Sequence, residues 1–263
     1  MSLPLGQHQA EIQSNRQSWD QKPLLREIYR AFYQRIIARI DRSVTGRVVE
    51  IGSGIGNLRE YFPEALATDL FPNPWLDLVC DGYELPFQTG ALSHLILFDV
   101  FHHLEAPLAF FKEARRALAP GGRVLIFDPY ISLASWPAYG LFHHEPVAWG
   151  APVDLRPELP RPRKYYAAQG NATRLFFKDT RWLPGDWEIL KAERFAAFSY
   201  LLSGGFSKPA LYPATLLGFM RQADQICSAL PQLFGGRCLV TLQARHNPAQ
   251  PEPKLVGADV RRL

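Results

Sequence analysis

Apolar and polar residues change rhythm several times along this chain. From Pro23 onward, Leu24, Leu25, Ile28, Phe32, Ile36, Ile37 and Ile40 recur at the spacing of one helix face, with Arg and Glu between them. Asp20 is placed to cap that helix, Pro23 suits its first turn, and Gly46 breaks the pattern. Residues before Trp19 are polar and without period, so a flexible N-terminus over 1–22 is expected. From 47 to 129, short apolar runs alternate with helical stretches. They predict strands over 48–51, 65–68, 77–80, 92–98 and 123–128, and helices over 55–61 and 104–118. Continuous apolar strands alternating with helices indicate an α/β protein whose parallel sheet is covered on both faces.

After Asp128 the rhythm stops. Residues 130–180 are rich in Pro, Trp, Tyr and His, and a stretch this long without period is expected to be a functional insertion or lid. The sheet resumes over 187–195 and closes over 237–244, with a proline-punctuated helix over 213–230 between them. The tail, 246–263, is expected to be disordered. This predicts one domain over 23–245 that carries the insertion.

Composition narrows the class. With 47% hydrophobic and 21% charged residues a core can form, which excludes collagen, coiled coil and wholesale disorder. Aromatics at 13% hint at an apolar cavity or cap. Ser93, His94 and Asp99 interrupt the best apolar run, so no membrane span is expected. The opening residues lack the layout of a secretory signal, and Cys80, Cys227 and Cys238 are too scattered for a disulfide framework or a zinc site. The expectation is a cytoplasmic protein with reduced thiols and no metal. A net charge of +4 without a block of basic residues gives nucleic-acid binding no support, while peripheral contact with an anionic membrane stays open.

The sharpest local signal is Val48-Val49-Glu50-Ile51-Gly52-Ser53-Gly54-Ile55-Gly56-Asn57. An apolar strand runs into three glycines, which let backbone approach a ligand closely. The spacing fits neither a dinucleotide fingerprint, whose third glycine would fall at Asn57, nor a phosphate loop. Further motifs follow in order. Asp69 ends the second strand, nineteen residues after Glu50, and Asp81 ends the third, before Gly82-Tyr83. The fourth strand runs through Phe98 into Asp99-Val100-Phe101-His102-His103-Leu104, and Pro120-Gly121-Gly122 precedes the fifth.

This ordered set, spanning about 48–129, resembles the class I S-adenosylmethionine-dependent methyltransferases. Within them it is most similar to the small-molecule and lipid-modifying branch that includes quinone-biosynthesis C-methyltransferases. The resemblance implies a Rossmann-like, mostly parallel seven-stranded sheet with helices on both faces, and S-adenosylmethionine as cofactor. It implies that Gly52, Gly54 and Gly56 admit the methionine part and ribose, and that Glu50 orders the loop and reaches the cofactor's amino group through water. Asp69 would hold the ribose hydroxyls. Asp81 would take the adenine amino group, with the Gly82 N–H near a ring nitrogen. Phe98 and Asp99 would flank the methionine moiety. Taken alone, Asp69 could be a turn residue and Asp81 a helix cap.

His102 and His103 sit where parallel sheets bind ligands, and one of them could take a proton from an acceptor hydroxyl; packing and loop orientation are the other reading. His143, His144 and Glu145 read as a solvated lid segment. Nucleic-acid amino methyltransferases carry an Asn/Asp-Pro-Pro-aromatic motif after the fourth strand, where this chain has Asp99-Val100-Phe101-His102. The apolar residues over 131–142, 195–202 and 211–213 instead suit a greasy acceptor pocket, and about half of them are expected to be core. The expected activity is methyl transfer to a small-molecule or lipid-like acceptor. The alternative is a non-catalytic S-adenosylmethionine-binding regulator or scaffold subunit; a dehydrogenase is disfavoured by the glycine spacing.

Overall fold

The computed structural model describes residues 5–143, 145–158 and 165–245. Two helices, α1 (Leu5–Gln21) and α2 (Pro23–Ile37), precede β1 (Arg47–Ile51), β2 (Leu66–Asp69), β3 (Leu78–Val79) and β4 (Leu92–Phe98). Then come α3 (Pro107–Ala117), β5 (Leu118–Pro129), α4 (Trp136–Leu141), α5 (Asn171–Phe177) and β6 (Trp187–Ala196). The chain ends in α6 (Phe198–Leu201), α7 (Leu217–Cys227), α8 (Pro231–Phe234) and β7 (Gly235–Ala244).

One seven-stranded sheet runs in the order β3-β2-β1-β4-β5-β7-β6. All its pairings are parallel except that β7 lies antiparallel between β5 and β6. Every residue of β4 is buried, as a central strand covered on both faces requires. Alternation along it sends Leu95 and Leu97 to one core, with Val49, Phe110 and Phe111, and Ile96 and Phe98 to the other, with Phe32, Phe127 and Trp19. The chain's aromatic surplus fills the second core: Phe98 stacks on Phe127 at 4.7 Å between ring centres, and Phe32 meets Phe127 at 4.9 Å. β2 and β4 flank β1 on opposite sides, so the carboxyl end of β1 is a topological switch point, where such sheets bind ligands.

The structure corrects three expectations. Residues 5–18 are not frayed: they lie in α1, and Ile12 and Trp19, two turns apart on one face, are both buried, while residues 1–4 lie outside the described residues. Trp19 Nε1 donates to Glu60 Oε1 (2.9 Å), and Ser18 Oγ donates to the Phe206 carbonyl (2.6 Å). Asp20 therefore lies inside α1, ion-paired with Arg16, and Lys22 occupies the position before α2. The helix expected over 55–61 is only a 3-10 turn, Asn57–Glu60. Gly56 enters it in the left-handed conformation, and Pro63 blocks its extension before β2. Within the insertion, Ala172, Leu175 and Phe176 of α5 belong to the first core, whereas Leu133, Leu141 and Phe142 are exposed. The tail from His246, and His144, lie outside the described residues.

Candidate active site

The turn after β1 is shaped by glycine. Gly52 has φ +66°, and a Cβ there would stand 2.4 Å from Val100 Cγ2, so a side chain would strain the backbone and force Val100 to move. Gly54, at φ +55°, donates its N–H to Asp69 Oδ2 (3.0 Å), while the Phe71 N–H donates to Asp69 Oδ1 (3.2 Å). The Asp69 carboxylate is thus fixed by one donor on each oxygen and keeps further lone pairs for a ligand. Gly56 departs from the expected role. It does not line the cleft with Gly52 and Gly54 but faces the Trp75 carbonyl, where its Cβ would sit at 3.2 Å.

Glu50 is buried at the end of β1, and its Oε2 has no hydrogen-bond partner among the described residues. Burial, reinforced by the Asp69 charge, pushes its carboxyl up to about 8. A buried carboxyl without a partner is costly unless a cation or donor arrives, so this atom fits the amino group of the cofactor that the fold implies.

Asp81 and Gly82 line the same cleft, with Asp81 Oδ1 accepting from the Tyr83 N–H (3.0 Å). Asp81 thus caps a turn and borders the cavity. Phe98 lines the cleft while its ring stays in the aromatic core. Asp99 takes a left-handed backbone (φ +55°) at the mouth of β4 and is ion-paired with Arg237. That buried arginine, which lies over the Tyr200 ring at 4.4 Å, was not among the residues expected in the site. A lone cation in an otherwise apolar strand was the available signal.

The histidines are placed at the cleft as expected, but their partners were not foreseen. His102 is buried, with Nδ1 3.0 Å from Asp128 Oδ1 and Nε2 3.2 Å from Glu145 Oε2. Burial opposes its charged form, but the Asp128 and Glu145 carboxylates overcome this and raise it to about 10. His103 is held down near 4 by burial and by His102. Its Nδ1 meets the Tyr166 carbonyl at 3.0 Å and its Nε2 meets Glu145 Oε1 at 3.4 Å. Glu145 is not solvated, as its segment was expected to be. Tyr165 Oη donates to it (2.6 Å), as does Gln169 Nε2 (2.6 Å), and it is buried against both histidines. These contacts join residues far apart in sequence, so no local spacing announced them.

Glu50, Gly52, Gly54, Asp69, Asp81, Asp99, Arg237 and the two histidines with Glu145 line one cleft of about 1330 Å³, which α1 also lines through Glu11, Ile12 and Asn15.

The chain belongs to the methyltransferase-domain family, whose model matches residues 24–166. No curated protein matches it. Among solved structures it is similar to an S-adenosylmethionine-dependent methyltransferase from Archaeoglobus fulgidus, at 15% identity and a TM-score of 0.49, covering 84% of this chain and 94% of that one. It is also similar to geranyl diphosphate C-methyltransferase from Streptomyces coelicolor A3(2), at 12% identity and a TM-score of 0.46, covering 82% and 80%. A third likeness is to phosphoethanolamine N-methyltransferase 2 from Haemonchus contortus, at 17% identity and a TM-score of 0.45, covering 82% of this chain and 53% of that one.

Proposed function

We propose that the protein transfers a methyl group from S-adenosylmethionine to a small apolar or lipid-like acceptor held between the sheet edge and the insertion. Family membership supports methyl transfer in general. The observation that carries the cofactor assignment is the unpartnered, buried Glu50 Oε2 beside the Gly52–Gly54 turn and Asp69, all on one cleft wall. On this reading Glu50 and the glycine turn hold the methionine part, Asp69 the ribose hydroxyls, and Asp81 with the Gly82 N–H the adenine.

S-adenosylmethionine supplies a methyl group already activated on a sulfonium. What remains for the chain is to align an acceptor with that methyl and to exclude water. A volume of about 1330 Å³ exceeds the roughly 300–1,000 Å³ of an ordinary small-ligand pocket, which leaves room for cofactor and acceptor together. Phe142 and Leu211, both exposed and both lining the cleft, favour an apolar acceptor body. His102 does not suit the role of base, because both its ring nitrogens are engaged by carboxylates.

The test is incubation with S-adenosylmethionine labelled on its methyl group and fractionated lipid and small-molecule extracts. S-adenosylhomocysteine should form, with label in an apolar product. Cofactor binding without turnover on any extract would favour the regulator reading, and label confined to nucleic acid or protein would overturn the acceptor class.

A further inference from the structure

We propose that His102, His103 and Glu145 form a binding site for one divalent transition-metal ion of the zinc type, in the wall of the cleft. One ligand atom from each of the three lies within 4.8 Å of the others. His102 Nε2 stands 3.2 Å from Glu145 Oε2, and His103 Nε2 stands 3.4 Å from Glu145 Oε1. Ligands bonded to zinc at about 2.0–2.1 Å in a tetrahedron stand about 3.3 Å apart, so both separations suit edges of such a polyhedron.

The remaining nitrogens are arranged as they are around bound metals. Metal-ligating histidines give their other N–H to a carboxylate or a backbone carbonyl, which fixes ring and tautomer. Here His102 Nδ1 faces the fully buried Asp128 carboxylate, and His103 Nδ1 faces the Tyr166 carbonyl. A carbonyl only accepts, so Nδ1 of His103 carries the proton and its Nε2 offers a lone pair toward Glu145.

Gln169 stands at the same corner. It is buried, and its Oε1 has no partner. Its Nε2 lies 2.6 Å from Glu145 Oε2 and 3.3 Å from His102 Nε2. With an ion bound, the amide turned over would bring Oε1 to that corner as a fourth donor in place of the Nε2 hydrogen bond. Two imidazoles with carboxylate and amide oxygens suit zinc, cobalt or iron(II) better than calcium or magnesium, which prefer all-oxygen shells. His102 and His103 follow β4 while Glu145 and Gln169 come from the insertion, so the ion would tie the insertion to the sheet edge. A water or hydroxyl in an open position on the cleft side would have a lowered pKa.

The test uses the full chain, stripped with a chelator and dialysed, then titrated with Zn²⁺ by calorimetry without cofactor or acceptor. One Zn²⁺ should bind per chain, with proton release and a chelator-reversible rise in Tm. Co²⁺ should give the visible absorption of a four- or five-coordinate site. His103→Gln and Glu145→Gln should each weaken binding by at least about 100-fold, and Asp128→Asn by about 10- to 100-fold. Glu145 anchors the insertion, so circular dichroism must show each variant folded; His103, partly exposed, is the safer substitution. A wild-type chain that binds no Zn²⁺ overturns the proposal, with a proton then filling the gap between His102 and Glu145. Unchanged affinity in folded His103→Gln also overturns it, placing the metal elsewhere, such as Cys227. Because no cofactor is present, failure of the methyl-transfer reading leaves this result untouched.

Discussion

The Arg237 guanidinium, buried on β7, is ion-paired with the Asp99 carboxylate at the carboxyl end of β4. The contact spans the sheet: the Asp99 N–H donates to the Phe127 carbonyl of β5, and Arg237 lies over the Phe127 and Tyr200 rings. A buried cation is tolerated only when paired, and removing one partner typically costs about 3–5 kcal/mol. Arg237→Ala should therefore lower unfolding stability by about that much in urea melts. Arg237→Lys should recover only part of it, because an ammonium cannot reproduce the stacked guanidinium plane. A loss below about 1 kcal/mol for Arg237→Ala would show the pair to be energetically idle.

Glu50 gives a pH signature. Its folded-state value near 8 lies above the ordinary 4.5, so the native state holds a proton that the unfolded state releases. The sign is destabilising as pH rises: the contribution is neutral below 4.5 and worsens through 8, reaching about 3 kcal/mol at pH 7. Glu50→Gln should raise stability at pH 7 by roughly 1–3 kcal/mol and flatten the profile between those values. A cationic cofactor should draw the value down and release a proton. Calorimetry in buffers of different ionisation enthalpy reads this directly; proton uptake would contradict it.

Trp19 links α1 to the rest of the cleft, with its ring stacked on Phe206 and edge-on to Tyr29. Trp19→Ala should cost about 3–5 kcal/mol, the range for emptying a buried aromatic site. It should also weaken cofactor binding, since Ile12 and Asn15 of the same helix line the cavity. Unchanged stability would mean that α1 is not docked in solution.

The centre of the sheet was legible because its strands are buried on both faces: Leu92–Phe98 reads as one apolar run and forms β4 with those bounds. The positions of the glycine turn, Asp69 and Asp81 were legible for a related reason, since each lies at or just past a strand end. Helix α1 was not legible, because among its described side chains only Ile12 and Trp19 mark the buried face, and Trp19 is held by Glu60 and Phe206, both distant in sequence. The Glu145 and Gln169 contacts to His102 escaped notice on the same ground: their logic is tertiary. Gly56 stands outside the cleft lining, and its left-handed backbone has a local cause, the start of the 3-10 turn.

The insertion divides into two kinds of segment. Helix α5 is part of the first core and should exchange amide hydrogens slowly in every state. Residues 136–143, with Leu141 and Phe142 exposed, should exchange quickly in the free protein. They should slow when S-adenosylhomocysteine and an apolar acceptor analogue bind together. Uniform protection of 136–143 in every state would make the insertion a rigid wall rather than a lid.

The central claim is that the carboxyl edge of β1 and β2 binds S-adenosylmethionine. Calorimetric titration of the wild type and Asp69→Ala with S-adenosylmethionine, S-adenosylhomocysteine and NAD tests it most directly. Both S-adenosyl ligands should bind the wild type at micromolar affinity and NAD should not. Asp69→Ala should lose roughly 1.5–3 kcal/mol of that affinity, the value of charge-assisted hydrogen bonds to the ribose, with the fold retained. Tight NAD binding with no response to either S-adenosyl ligand would contradict the account, as would unchanged affinity in a folded Asp69→Ala protein.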